Sequence, residues 1–304
     1  MVSEISRPHE EAIMEGPKFS PYSGLKRRIA VLSFENRAEI GGDKIGSAVA
    51  DMVVRVLVKS GRFTVLERTE VERLLNEQAL GQTGAVTEES APKVGRLLGV
   101  QGLVVGRVEE LRLESGKKNI ESKKEDKWRL VLQATAGLAH LRFRVLDALT
   151  GEVVLSDEVQ KFEIRPGFGL KTEEYEFKDL HQFDQTLLGL VCREAANEAG
   201  AMIAAGIERL EWFGKVVKVA GDSVLYFTPG KNDGIQLADR FVIWGAALDS
   251  TQKVTPDSTD LEEKIKQEQI GTVEVIDFIG ERVSKAMIIS GQNIRRGDLV
   301  KMVQ

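Results

Sequence analysis

The stretch that decides the fold is Arg62–Val86, which reads RFTVLERTEVERLLNEQALGQTGAV. Phe63 and Val65 alternate with polar neighbours, as in a half-buried strand. Thr69 lies three residues before Glu72, the spacing of a capping box, in which each side chain accepts a hydrogen bond from the amide of the other residue. The stretch therefore predicts a strand that is followed at once by an amphipathic helix.

The flanking segments continue this alternation of strands and helices. Arg28–Phe34 reads as a buried strand, and Ile45–Gly61 as a helix that ends at its glycine. A second helix is predicted between Ser90 and Gly99, before a buried strand at Leu103–Val105. Because a helix between two strands commonly forms a crossover, we expect an α/β (α+β) domain whose sheet is covered by helices and is at least partly parallel.

Beyond Val108 the pattern changes to long strands. In Trp128–Leu138 the even-numbered positions carry the apolar face, whereas from Leu141 onward the odd-numbered positions do. This change of parity predicts a bulge or a bend near Leu138. A further strand is predicted at Glu152–Ile164.

The longest predicted helix is Thr186–Trp212. Along it, Ala196, Gly200 and Ala204 form a row of small residues, which would let another element approach closely. The sheet is the expected partner, and a neighbouring subunit is the alternative.

Three domains are predicted along the chain. Residues 1–25 contain three prolines and little periodicity, which favours a flexible or extended lead-in. Residues 26–212 form the α/β domain. Residues 213–304 read as five or six short strands between glycine- and aspartate-rich turns, and this pattern predicts a small all-β barrel.

Composition excludes several classes of function. The net charge is −5 and no basic run is present, so nucleic acid is a poor candidate for a partner. The only cysteine, Cys192, cannot form an internal disulfide, and its apolar helical surroundings indicate a buried structural thiol. No apolar run reaches the ~18 residues of a membrane-spanning helix, and the first residues show no signal peptide or lipid-attachment motif.

No constellation of residues for catalysis is visible. The sequence lacks a phosphate-binding loop, a nucleophile elbow and an HExxH motif. Its three histidines, His9, His140 and His181, are isolated from one another, so no metal site is expected. We predict a protein that is not an enzyme and that uses no cofactor.

The order and spacing of residues 28–212 resemble the CsgG family of curli production assembly/transport components, with its α/β domain like those of TolB and LpoB. The most specific segments are LERTEVERLLNEQ at 66–78, LLGVQGLVVG at 97–106 and LRFRVLDALTGEV at 141–153. Residues 214–304 are more distantly similar to the small C-terminal β-domain of flagellar assembly protein T.

The resemblance implies a homo-oligomeric ring, nine-fold in the family, in the bacterial cell envelope, either in the periplasm or on the periplasmic side of the outer membrane. Two hairpins per subunit, here 108–145 and 151–180, would build an outer-membrane barrel for secretion. The loop 35–44 would line the lumen, with four candidate residues, Asn36, Arg37, Glu39 and Asp43.

Two observations keep a second interpretation open. The loop 35–44 has no aromatic residue, and several of the hairpin strands carry charges on both faces, unlike strands that face lipid. The alternative is a periplasmic scaffold without a channel, such as a flagellar-ring component or a lipoprotein regulator of a cell-wall enzyme.

Overall fold

The computed structural model of the chain describes residues 7–32, 34–38, 40, 42–66, 71, 73, 90–121, 129–166, 180–245 and 268–303. The chain divides into two compact units. Unit 1 comprises Met1–Tyr22 and Arg28–Leu210, and unit 2 comprises Ser23–Arg27 and Glu211–Gln304.

Unit 1 contains helices and one sheet. The described helices are α1 Arg7–Glu15, α2 Gly42–Lys59, α3 Ala91–Leu98, α4 Leu180–Asp184 and α5 Leu187–Ile207. The described strands are β1 Arg27–Val31, β2 Glu35–Asn36, β3 Phe63–Val65, β4 Gly102–Glu121, β5 Arg129–Asp147 and β6 Val153–Pro166.

The strand order of the sheet is β3-β1-β4-β5-β6, and β2 also pairs with β4. Strands β1 and β2 run parallel to β4, because helices and loops return the chain to the same end of the sheet. Strand β5 runs antiparallel to both β4 and β6. The predicted α/β (α+β) class and the partly parallel sheet are confirmed.

The two faces of the sheet are covered to different extents. Alternate residues such as Val104 and Leu141 point to the face on which α2 and α5 pack, and together they form the main core of the unit. Leu103 and its register partner Leu146 point to the opposite face, where Val94 of α3 packs in a smaller core. Because side chains alternate along a strand, every strand in the centre of the sheet contributes to both cores.

The predicted change of parity in β5 near Leu138 is wrong. Strand β5 pairs with β4 and β6 without interruption past Leu138, and the register shift lies instead in β4, between Val108 and Glu110. From Thr135 to Val145 the odd-numbered residues of β5 face α5, and Gly137 and Ala139 belong to that face. An ideal Cβ on Gly137 would lie 3.0 Å from the side chain of Leu187, so the small residues there leave room for α5. In the sequence, these small residues resemble a polar face.

The lead-in and the end of the long helix also differ from expectation. Residues 7–15 form α1, which packs on α5, and Asn197 Nδ2 donates a hydrogen bond to the carbonyl of Ile13 at 2.6 Å. Tertiary contact thus stabilises a helix that local propensity alone does not indicate. Helix α5 begins after Thr186, whose Oγ1 accepts a hydrogen bond from the Gly189 amide, but it ends at Ile207 rather than at Trp212.

The decisive stretch is described only in part. Strand β3 coincides with the predicted strand, and Val71 is helical and fully buried in the smaller core. The capping box of Thr69 and Glu72 lies outside the described residues. In the helix that follows, Gly99 adopts a left-handed conformation with φ of 64°, as predicted for a residue that ends a helix.

Unit 2 is a closed barrel of six strands, which are β7 Phe213–Ala220, β8 Val224–Thr228, β9 Arg240–Trp244, β10 Gln269–Ile279, β11 Val283–Gly291 and β12 Leu299–Met302. Their order around the barrel is β10-β11-β8-β7-β12-β9. Trp212 is buried in its core and stacks on Phe241, with ring centroids 5.4 Å apart. The predicted small barrel is confirmed. A short 3-10 helix lies at Lys231–Asp233.

Within the described part of the chain, no helix has both the length and the apolar character needed to cross a membrane.

Candidate functional site: the open face of the sheet

The three long strands of unit 1 share a face on which, among the described elements, α3 packs at one end. We call its remaining part the open face. It consists of residues whose register places them side by side on adjacent strands, namely Arg107, Glu110, Arg112 and Glu114 of β4, Ala136, Leu138, His140 and Arg142 of β5, and Glu158, Gln160, Phe162 and Ile164 of β6.

Arg142 is the centre of one charged cluster on the open face. Its Nη2 lies 2.9 Å from Glu158 Oε2, and its Nη1 lies 3.6 Å from Glu109 at the irregular position of β4. His140 Nε2 is 3.4 Å from the same Glu158 oxygen. Hydrogen bonds from Arg142 and, to a smaller extent, His140 hold the pKa of Glu158 below its usual value.

Glu35 is the centre of a second cluster beside the first. Its carboxylate is 3.1 Å from Arg37 Nε and 2.9 Å from Arg107 Nε. The hydrogen bond from Arg37 is the main reason why the pKa of Glu35 is lowered. A third cluster joins Arg112 to Glu110 and to Glu114. We call these three clusters the charged belt.

The charged belt is balanced within itself. Each of its arginines has at least one carboxylate within ion-pair distance. Such exposed pairs contribute little stability, so their main effect is on the electrostatic character of the surface. The belt contains four arginines, at positions 37, 107, 112 and 142, and five glutamates, at positions 35, 109, 110, 114 and 158.

An apolar strip lies next to the belt, on the N-terminal side of it in β5 and near the C-terminal end of β6. Leu138 is the register partner of Phe162, and Ala136 is the register partner of Ile164. Phe162 is 56% exposed and Ile164 is 51% exposed. These four residues, which we call the apolar strip, thus place apolar side chains together in solvent.

The predicted lumen loop is held together by Asn36. Its Nδ2 donates hydrogen bonds to the carbonyls of Ile40 and Gly42, at 2.9 and 2.8 Å, and its Oδ1 accepts one from the Ala38 amide at 3.1 Å. The side chain of Asn36 is therefore used to close the loop. Arg37, by contrast, lies in the charged belt.

Glu39 lies outside the described residues. Asp43 belongs to α2, but its side chain is not among the described ones. The lumen role of all four residues stays a prediction.

The row of small residues on α5 faces inward. An ideal Cβ on Gly200 would lie 2.7 Å from Val56 of α2, so the glycine permits close contact between the two helices. Ala196 and Ala204 are also buried. The partner at Gly200 is thus α2, which the sequence analysis did not consider, rather than the sheet or another subunit.

Sequence reasoning missed a buried ion pair. Arg193 of α5 is 4% exposed and pairs with Asp184 at the end of α4, while Arg55 Nη1 approaches the same carboxylate at 3.8 Å. Burial lowers the pKa of Arg193, and the Asp184 charge opposes this shift. The signal was available, since Arg193 directly follows the apolar run LLGLVC at 187–192. The pair connects α4 to α5.

The described candidates for reactive chemistry, Cys192 and His140, lie in different surroundings. Cys192 is buried, as predicted, and burial raises the pKa of its thiol well above the usual value. His140 lies on the open face, whereas the side chains of His9 and His181 are not described. Among described residues, no three potential metal ligands come together.

Unit 2 has a surface cavity of about 280 Å³. In it, Lys301 Nζ lies 2.9 Å from Glu211 and 4.8 Å from the centre of the Trp244 ring. The charges in this cavity are therefore already paired.

Comparison with known proteins gives one family and several distant structural likenesses. The family model described as curli production assembly/transport component CsgG matches residues 18–215. No curated protein matches the sequence.

Similar solved structures include the hypothetical protein CT253 from Chlamydia trachomatis, at 15% identity over 60% of this chain and 98% of that one, with a TM-score of 0.35. The LpoB C-terminal domain from Escherichia coli is 12% identical over 50% and 93% of the two chains, with a TM-score of 0.32. The PelC dodecamer from Paraburkholderia phytofirmans is 14% identical over 60% and 89%, with a TM-score of 0.28. Likenesses at this level support no functional conclusion.

Proposed function

Because the chain belongs to the CsgG family of curli production assembly/transport components, we propose that it is a ring-forming protein of the bacterial cell envelope that acts in secretion of the curli type. Membership makes it an envelope protein connected with assembly or secretion. The finer role, a homo-oligomeric ring that passes a protein substrate, is the proposal.

The match over residues 18–215 carries this proposal. It spans all the described strands and helices of unit 1 from β1 to α5 and therefore includes the open face. An exposed apolar strip beside a balanced charged belt supports self-association, because such a surface is suited to contact with protein. The chain itself is proposed to supply the contacts, with no cofactor and no catalytic step.

A periplasmic scaffold without a channel is the second candidate. It is favoured by the charged belt, which occupies the middle of β4, β5 and β6 where strands that face lipid would carry apolar side chains. The closed barrel of unit 2 adds a second folded unit that a scaffold could use to hold a further envelope protein.

Light scattering across micromolar concentrations, with electron microscopy in detergent and in plain buffer, tests the proposal. A ring-forming secretion protein is expected to show closed rings in detergent. Rings that form equally well in plain buffer and do not bind detergent would favour the scaffold. A strict monomer in every condition would contradict the ring.

A further inference from the structure

We propose that residues 23–27, which we call the joining segment, couple the folding of the two units. The joining segment belongs to unit 2, although it lies before nearly all of the sheet of unit 1 in the chain. The rest of unit 2 begins only at Glu211. The stretch 28–210 of unit 1 is thus inserted between two parts of unit 2. Neither unit has to form a ring for this coupling, which goes beyond the proposed function.

The joining segment contributes backbone hydrogen bonds and an apolar side chain to the barrel. The amide of Lys26 donates a hydrogen bond to the carbonyl of Asp233 at 2.8 Å. The carbonyl of Lys26 accepts one from Trp212 Nε1 at 3.2 Å. Leu25 packs against the core of the barrel, in which Trp212 is 1% exposed. Without the joining segment, Trp212 would keep a buried N–H without this partner, which is costly.

The turn after the 3-10 helix of unit 2 lies directly against the joining segment. Gly234 has a φ of 94°, which favours glycine, and an ideal Cβ on it would lie 2.8 Å from the carbonyl oxygen of Gly24. A side chain at position 234 would therefore push the joining segment away. The close approach depends on this glycine.

Unit 1 brings the two parts of unit 2 close together in its own fold. Ile29 is the register partner of Gly102. An ideal Cβ on Gly102 would lie 3.0 Å from Leu210 and 3.6 Å from Ile29, so these two side chains lie side by side in the main core. Ile29 follows Lys26 closely in the chain, and Leu210 precedes Trp212 closely. Folded unit 1 therefore holds the chain ends that lead to Lys26 and Trp212 near each other.

Loop closure makes the joining segment depend on unit 1. Lys26 and Trp212 are 186 residues apart in the chain. When unit 1 is unfolded, their hydrogen bond has to close a flexible loop of that length, and the equilibrium constant for closure falls with the 3/2 power of the length, a factor on the order of 10³. Folded unit 1 removes most of this penalty. By linkage, a joining segment bound to the barrel stabilises unit 1 in return.

A leucine variant tests whether the barrel needs the joining segment. Leu25→Ala in the full chain removes the side chain that packs on the barrel core, and Leu237→Ala makes the same change in unit 2 at a residue that is 61% exposed. Amide hydrogen exchange of β7 and β12, followed by mass spectrometry, should become about tenfold faster in Leu25→Ala. It should stay unchanged in Leu237→Ala. Leu25→Val is the milder variant, should Leu25→Ala not fold.

A variant of unit 1 tests the coupling itself. Leu141→Ala removes buried methyl groups from the main core of unit 1. Exchange is measured at a urea concentration at which β4 and β5 have lost their protection in this variant but keep it in the wild type. The amides of β7 and β12 should then exchange at least about tenfold faster in the variant than in the wild type. Val58→Gln, at a residue of α2 that is 56% exposed, is the control and should behave as the wild type.

Two results would overturn the proposal. If β7 and β12 stay as protected in Leu141→Ala as in the wild type once unit 1 has unfolded, the two units fold independently. If Leu25→Ala exchanges no faster than Leu237→Ala, the joining segment is not needed by the barrel. Neither result depends on whether the wild type forms rings, so a failure of this proposal is distinguishable from a failure of the proposed function.

Discussion

The two faces of the long strands differ in how far their ion pairs are removed from water. On the covered face, Leu141 and Phe143 are buried under α5, and an ion pair at the edge of this core, Arg193 with Asp184, is almost fully removed from water. On the open face, Arg142 and Glu158 form a pair that is half exposed. A pair of arginine and carboxylate is therefore needed for stability on the covered face, because breaking it leaves a buried charge. On the open face the same kind of pair contributes little to stability.

Removing one partner of the buried pair should have the largest effect. Asp184→Ala leaves the Arg193 charge buried with only the repulsion of Arg55 nearby, and we expect a loss of about 3–5 kcal/mol in the free energy of unfolding. Glu158→Ala on the open face should cause almost no change. Urea denaturation followed by circular dichroism measures both.

A double variant sharpens the test of the buried pair. Asp184→Leu with Arg193→Met replaces both charges by apolar side chains, which often costs little. Recovery of most of the stability is expected. If Asp184→Ala is as stable as the wild type, the pair is not buried as described.

Two leucines of one strand compare the faces directly. Leu141→Ala on the covered face should cost about 2–5 kcal/mol, because it removes buried methyl groups and leaves a cavity. Leu138→Ala on the open face should cost much less, since Leu138 is only partly buried. Thermal unfolding of the two variants measures the difference, and equal losses would show that both faces are covered in solution.

The close contact between α5 and α2 gives a smaller effect. Gly200→Ala places a Cβ 2.7 Å from Val56, and such overpacking costs about 1–3 kcal/mol. Val56→Ala in the same chain should relieve part of the loss, because it removes the atoms that clash. The matched control is Gly116→Ala in β4, where nothing lies within 4 Å of the added atom. A loss at position 116 equal to that at 200 would contradict the packing argument.

The pH dependence of the open face should be the smallest effect. The folded state lowers the pKa of Glu158, so the unfolded state binds the proton more readily. The resulting stabilisation is fully present above the unfolded pKa of about 4.3 and is lost as the pH falls through the lower folded value. The difference in stability between wild type and Glu158→Gln should therefore shrink on acidification below about pH 4.

High salt should reduce the same difference at neutral pH, because exposed pairs are screened. Urea titrations at several values of pH and of ionic strength measure it. A difference that grows on acidification would have the wrong sign for a lowered pKa.

The sequence predicted most of the elements but not all of their faces. The periodic patterns located β1, α2, β3, α3 and the barrel strands, because period and glycine placement are local properties. The prediction of the buried face of β5 was wrong before Leu141. Gly137 and Ala139 are small because α5 packs closely on them, and small residues in a sequence resemble a polar face. Helix α1 was missed because its stability comes from contact with α5.

The sequence also predicted only part of the candidate site. Charged residues along β4, β5 and β6 were visible in the sequence, and they led to doubt about strands that face lipid. Their pairing into a balanced belt depends on strand register, which brings Arg142 next to Glu158 from 16 residues away along the chain. The apolar strip likewise exists only because Leu138 and Phe162 are register partners.

By itself, the sequence determined the family, the fold class and the presence of a small C-terminal barrel, because these follow from local periodicity, turn residues and segments such as LERTEVERLLNEQ. Tertiary structure alone decided which side chains share a surface. Pairing between strands sets the belt and the strip, and contact between helices explains Gly200 and the buried Arg193. The physical reason is that burial and electrostatic pairing depend on distances between residues that are far apart in the chain, and a one-dimensional pattern does not contain those distances.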